Sequence, residues 1–152
     1  MDQAVAAKTA ERFHNYLQPI PSKKSLLVIE DDLSLIELID TILAANNKAQ
    51  DFDWEYVTSG EAALELIRRR GKFCGGDPYS LVITDIFLEG ETTGFDVWLE
   101  SQELYPNMPF VITSSLTTDR YLSILQGANN CPQYLPKPLT ASRCQAIIQE
   151  YF

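Results

Sequence analysis

Apolar residues recur along this chain in two rhythms. Leu26-Leu27-Val28-Ile29, Leu81-Val82-Ile83-Thr84 and Phe110-Val111-Ile112-Thr113 are nearly unbroken runs, the pattern of strands buried on both faces of a parallel sheet. Trp54-Glu55-Tyr56-Val57 and Tyr134-Leu135 predict two shorter strands. Between these runs the apolar positions fall at helical spacing. Leu33, Leu35, Ile36, Leu38, Ile39, Ile42 and Leu43 predict a helix that ends near Asn46-Asn47. Thr58 with Glu61 has capping-box spacing and opens a helix to about Arg70. Arg68-Arg69-Arg70 suit its negative end, and Gly71 with Gly75-Gly76-Asp77-Pro78 forms the loop beyond. Phe95, Val97, Trp98, Leu99 and Leu104 predict a third helix, ended before Pro106. A fourth runs from about Thr118 to Gln126 and closes at Gly127; the last runs from Thr140 to about Tyr151. Five strands alternating with helices predict an α/β domain with helices on both faces of a parallel sheet.

The first 22 residues stand apart. Ala6, Ala10, Phe13, Tyr16 and Leu17 share one side of a helix over residues 2–18, and Pro19-Ile20-Pro21 breaks it. Residues 1–22 therefore read as a helical extension and linker, and 23–152 as the main domain. The apolar stripe predicts docking on the domain, or a homodimer formed through this helix.

Composition narrows the function. The chain has 152 residues, 45% of them hydrophobic, and a formal charge of −9. Nucleic acid and anionic membrane are poor partners for such a charge. No run approaches membrane-spanning length, and the amino terminus lacks a signal-peptide core. Three scattered cysteines, Cys74, Cys131 and Cys144, without metal-ligand spacing, fit a reducing cytoplasm.

Chemistry gathers where the strands end. The first runs into Glu30-Asp31-Asp32 and the third into Asp85; the fourth ends on Thr113-Ser114 and the fifth leads to Lys137. Open α/β sheets place ligands at this carboxyl edge. Converging carboxylates require a cation, and hard oxygen donors suit Mg²⁺. Asp32, next to the acid pair, reads as the cap of the first helix. A carboxylate beside a metal, an ammonium and a hydroxyl has the parts needed to receive a phosphoryl group.

These residues resemble the receiver domain of two-component response regulators. The likeness rests on Leu27 to Asp31, Leu81 to Asp85, Pro109 to Ser115 and Tyr134-Leu135-Pro136-Lys137-Pro138, and runs from about Ser25 to Phe152. It implies a flavodoxin-like five-stranded parallel sheet in the order 2-1-3-4-5. Asp85 matches the phosphoacceptor. Glu30 and Asp31 match the acids that hold Mg²⁺ with Asp85 and the backbone carbonyl of Phe87. Lys137 matches the family's lysine, and Pro138 its cis-proline. Ser114, five residues after Pro109, matches the switch hydroxyl, with Thr113 the alternative. Tyr134 matches the aromatic that turns inward on activation, though a plain half-buried aromatic is the competing reading. Glu89 stands where proline is usual, and the gap from Asp85 to Gly94 is one residue longer than usual.

The resemblance implies a phosphoacceptor rather than an enzyme, and with no output domain expected after Phe152 and cysteines that fit a cytosol, a stand-alone cytoplasmic protein is the expectation. Its expected partners are a histidine kinase or histidine phosphotransfer protein and an unknown downstream protein. The face made by the fourth helix, fifth strand and last helix would signal. Two other classes remain. A haloacid-dehalogenase-type phosphatase also uses a strand-end Asp with Mg²⁺, but needs a second Asp where Phe87 stands. A degenerate receiver would act only as a binding module.

Overall fold

The computed structural model describes residues 23–45 and 52–152. The 1–22 extension, with its expected helix, lies outside them. Ten elements alternate in chain order: β1 (Lys24–Ile29), α1 (Leu33–Ala45), β2 (Phe52–Val57), α2 (Gly60–Cys74) and β3 (Leu81–Asp85), followed by α3 (Gly94–Leu104), β4 (Phe110–Ser114), α4 (Thr118–Ile124), β5 (Gln133–Pro136) and α5 (Ala141–Tyr151). The strands form one sheet in the order β2-β1-β3-β4-β5, and every pair is parallel. This is the expected order.

Strand alternation builds two cores. Leu26, Val28, Leu81, Ile83 and Val111 face α1 and α5, where they meet Ile36, Ile39, Leu43, Ile147 and Ile148. Leu27, Ile29, Val82, Phe110 and Ile112 face α2, α3 and α4, where they meet Ala63, Ile67, Val97, Trp98 and Tyr121. Each large apolar side chain fully buried here contributes roughly 1.5–3 kcal/mol. The central strands thus carry no polar alternation, and their carboxyl ends form one edge.

Several boundaries differ from the sequence reading. β2 begins at Phe52 rather than Trp54. The cap of α2 is Ser59, whose hydroxyl accepts the Ala62 N–H, and not Thr58. Glu61 instead reaches the loop after β3, where it accepts the N–H groups of Glu91 and Thr92. α2 also passes through the three arginines and Gly71 to Cys74, and ends at Gly75 with φ 66°. Gly71 serves packing inside the helix, since a Cβ there would fall 1.7 Å from the Tyr105 hydroxyl. α4 is shorter than expected and stops at Ile124. No helix among the described residues is long and apolar enough to cross a membrane.

Candidate functional site

β1 and β3 pair with Ile29 opposite Thr84, so the residues just beyond both strands emerge side by side. Glu30 follows β1 and is 1% exposed; Asp85 closes β3 and is 7% exposed. With the exposed Asp31 they form a cluster in which one carboxylate oxygen from each lies within 4.8 Å of the others. Three hard anionic donors so close repel one another and fit a small divalent cation. Direct Mg²⁺ ligands about 2.1 Å from the metal lie no more than about 4.2 Å apart, so the cluster needs only a small adjustment or one bridging water.

Lys137 enters from the loop after β5. Its Nζ donates to Asp85 Oδ2 at 2.6 Å and to Glu30 Oε2 at 3.0 Å. Burial alone would lower the lysine pKa, but the Asp85 and Glu30 carboxylates outweigh it and hold the ammonium above its ordinary value. Burial pushes the Glu30 carboxyl up, against the pull of the Asp32 N–H and Lys137. The Lys137–Pro138 peptide bond is cis, and the Lys137 N–H donates to the Ser114 carbonyl at 2.8 Å. Asp32 accepts from the Ser34 N–H and hydroxyl at the start of α1, which keeps its carboxyl below the usual range.

The two candidate hydroxyls differ in their surroundings. Thr113 Oγ1 donates to the Thr84 carbonyl inside the sheet at 3.4 Å. Ser114 Oγ accepts the Leu116 N–H at 3.2 Å in the loop beyond β4. Tyr134 lies half-buried beneath that loop. Its hydroxyl donates to the carbonyls of Leu116 at 2.5 Å and Ser114 at 3.2 Å, and its ring stacks on Tyr121 at 3.9 Å. The sequence reading missed Tyr121, a residue on the inner face of a short helix whose periodicity is too brief to single it out.

The backbone after Asp85 is closely confined. The Phe87 N–H donates to Asp85 Oδ1 at 3.3 Å, which turns the chain around the carboxylate, while the Phe87 side chain is 61% exposed at the rim. Gly94 opens α3 against the end of β3, where a Cβ would fall 2.0 Å from the Asp85 carbonyl oxygen. Beside the cluster, Asp32, Ser34, Leu35, Ser115, Lys137 and Pro138 line part of an open cleft of about 480 Å³.

Solved structures with this architecture share a common class. The phosphorylated cyanobacterial phytochrome response regulator RcpA superposes with a TM-score of 0.67 at 21% identity, covering 86% of this chain and 94% of its own. A response regulator receiver protein from Sinorhizobium medicae gives 0.65 at 22% identity, over 86% and 94%. This chain has the receiver fold. The Mn²⁺-bound form of response regulator Rcp1 also matches the receiver fold here, at 0.63 and 20% identity over 84% and 90%. Among curated proteins, a CpxR-homologue transcriptional regulatory protein of Haemophilus influenzae is 28% identical over 130 residues, 82% of this chain. The receiver-fold chain spans about half the length of that relative. No family model matches it.

Proposed function

We propose that this chain is a response regulator receiver that accepts a phosphoryl group on Asp85. The observation that carries the reading is the Lys137 ammonium seated between Asp85 and Glu30 in a cluster of three carboxylates. Glu30, Asp31 and Asp85, with the Phe87 carbonyl, would hold Mg²⁺. That ion would supply positive charge for the oxygens of the transferring group.

The donor is a phosphohistidine of a histidine kinase or phosphotransfer protein. A carboxylate oxygen of Asp85 attacks phosphorus as the phosphorus–nitrogen bond breaks, and the imidazole leaves with the electron pair and takes up a proton. Lys137 moves with a phosphoryl oxygen while it holds Asp85 in line. Ser114 donates its hydroxyl to another oxygen; Thr113, already bonded to the Thr84 carbonyl, is the alternative. Tyr134, on β5, is bonded to the Ser114 and Leu116 carbonyls, so drawing the Ser114 hydroxyl toward Asp85 repositions the ring and the face of α4, β5 and α5. The output is a surface recognised by a downstream protein, and the domain turns over no separate substrate.

Incubation with acetyl phosphate followed by intact mass measurement tests this. Wild type should gain one phosphoryl group with Mg²⁺ and none with excess chelator. Asp85→Asn should gain none; labelling that persists in this variant removes Asp85 from the role.

A further inference from the structure

The loop of residues 86–93 carries the Phe87 carbonyl at one end and reaches the cap of α3 at the other. Its ends are tied locally, by the Phe87 N–H to Asp85 Oδ1 and by the Gly94 N–H to the Ile86 carbonyl at 3.0 Å, but its middle, Glu89-Gly90-Glu91, has little of its own to hold a fixed shape. It is nevertheless pinned from outside. Glu61, in the first turn of α2, accepts the Glu91 N–H at 3.0 Å and the Thr92 N–H at 2.9 Å through the same oxygen, Oε1. Ser59, just before that helix, forms a parallel bridge with Glu89. Space is closed on both sides of the contact: a Cβ on Gly90 would fall 2.7 Å from Glu61 Oε2, and one on Gly60 would fall 2.7 Å from the Thr92 carbonyl oxygen.

We propose that Glu61 is a positioning residue of the phosphoacceptor site, fixing the loop after Asp85 and thereby the Phe87 carbonyl that would serve as a metal ligand. This rests on the functional reading above. Two charge-assisted bonds to backbone N–H groups are stronger than neutral ones and set a loop's register. The carboxyl is held down to about 2, chiefly by its own amide and then by the Thr92 hydroxyl and N–H, so it is ionised at any working pH. Glu61 touches no reacting atom; it acts through the backbone it holds.

The test compares Glu61→Ala, Glu61→Gln and Glu65→Ala, the last an exposed acid on the same helix. Three quantities are measured: Mg²⁺ affinity by titration calorimetry, phosphorylation by acetyl phosphate at saturating Mg²⁺, and amide exchange at Glu91 and Thr92. Glu61→Ala should weaken Mg²⁺ binding roughly tenfold, as loss of a ligand-supporting contact does, and should expose both amides. Glu61→Gln keeps an acceptor oxygen but not the charge and should recover part of the loss. Glu65→Ala should match wild type. If Glu61→Ala does not fold, Glu61→Asp, which keeps the charge but shortens its reach to the Glu91 and Thr92 N–H groups, takes its place. Open amides with unchanged Mg²⁺ affinity and rate would overturn the inference, as would amides that stay protected. A wild-type protein that neither binds Mg²⁺ nor gains a phosphoryl group would instead overturn the functional reading, and this inference with it.

Discussion

Lys137 Nζ sits 2.6 Å from Asp85 Oδ2 and 3.0 Å from Glu30 Oε2, so one ammonium compensates two carboxylates that water scarcely reaches. A buried charge that loses its partner is far costlier than the pair is favourable. Lys137→Met should therefore destabilise the chelator-treated protein by about 3 kcal/mol, at the low end for broken buried pairs because the lysine is partly exposed. Mg²⁺ should recover part of the loss. Urea unfolding with and without chelator measures both, and equal midpoints for the variant and wild type would refute the idea.

Phe87 stands two residues beyond Asp85 with its ring 61% exposed at the rim. Leu116, two residues beyond Ser114, packs against the core under α2, α3 and α4. Apolar shielding of the acceptor from water would thus rest mainly on Phe87. Replacing it by asparagine admits water and offers a polar group to orient it, so Phe87→Asn should shorten the phosphoaspartate lifetime roughly tenfold, a modest gain for positioned water attack. Decay is followed by phosphate release after removal of the donor; equal or slower release would count against the shield.

Acid should expose the contribution of Glu61. Its carboxyl falls from an ordinary 4.5 to about 2 in the folded chain. A depressed acid stabilises the fold above its unfolded pKa, and the contribution fades as pH falls through the folded value. The stability gap between wild type and Glu61→Gln should be constant above about pH 5 and close between about 4.5 and 2. Thermal unfolding across that range reads it directly. A gap that persists unchanged at the acid end would mean the carboxylate is not held this way.

Ser101 lies on the inner face of α3, 1% exposed, and its Oγ is the single buried polar side-chain atom without a partner among the described residues. An unsatisfied buried hydroxyl is a cost without return. Ser101→Ala should stabilise the domain by about 1 kcal/mol and raise the melting temperature by about 2–4 °C. A lower melting temperature would show that the hydroxyl is bonded in solution.

How much of this could be read from the sequence depended on burial. β1, β3 and β4 were legible because both of their faces are covered, which writes an unbroken apolar run. β2 lies at an edge with Asp53, Glu55 and Tyr56 partly open to water, and its start was placed two residues late. Gly71 reads as a breaker in the sequence, which cannot show the Tyr105 hydroxyl packed against its α-carbon. The strand-end acids and Lys137 were legible as candidates from chain order alone, since a parallel sheet delivers every strand end to one edge. Glu61 was not: three residues after Thr58 it matched a capping box, and its true partners lie 30 and 31 positions away.

The sheet also divides the molecule's apolar interior in two. The side chains buried under α1 and α5 and those under α2, α3 and α4 share no member, so a substitution in one layer reaches the other only through the strands they share. The carboxyl edge is the exception. There the Ser114 carbonyl accepts both the Lys137 N–H and the Tyr134 hydroxyl, tying the acid cluster to a tyrosine of the opposite layer. A shift of that one oxygen is therefore felt at the acid cluster and under α4 together.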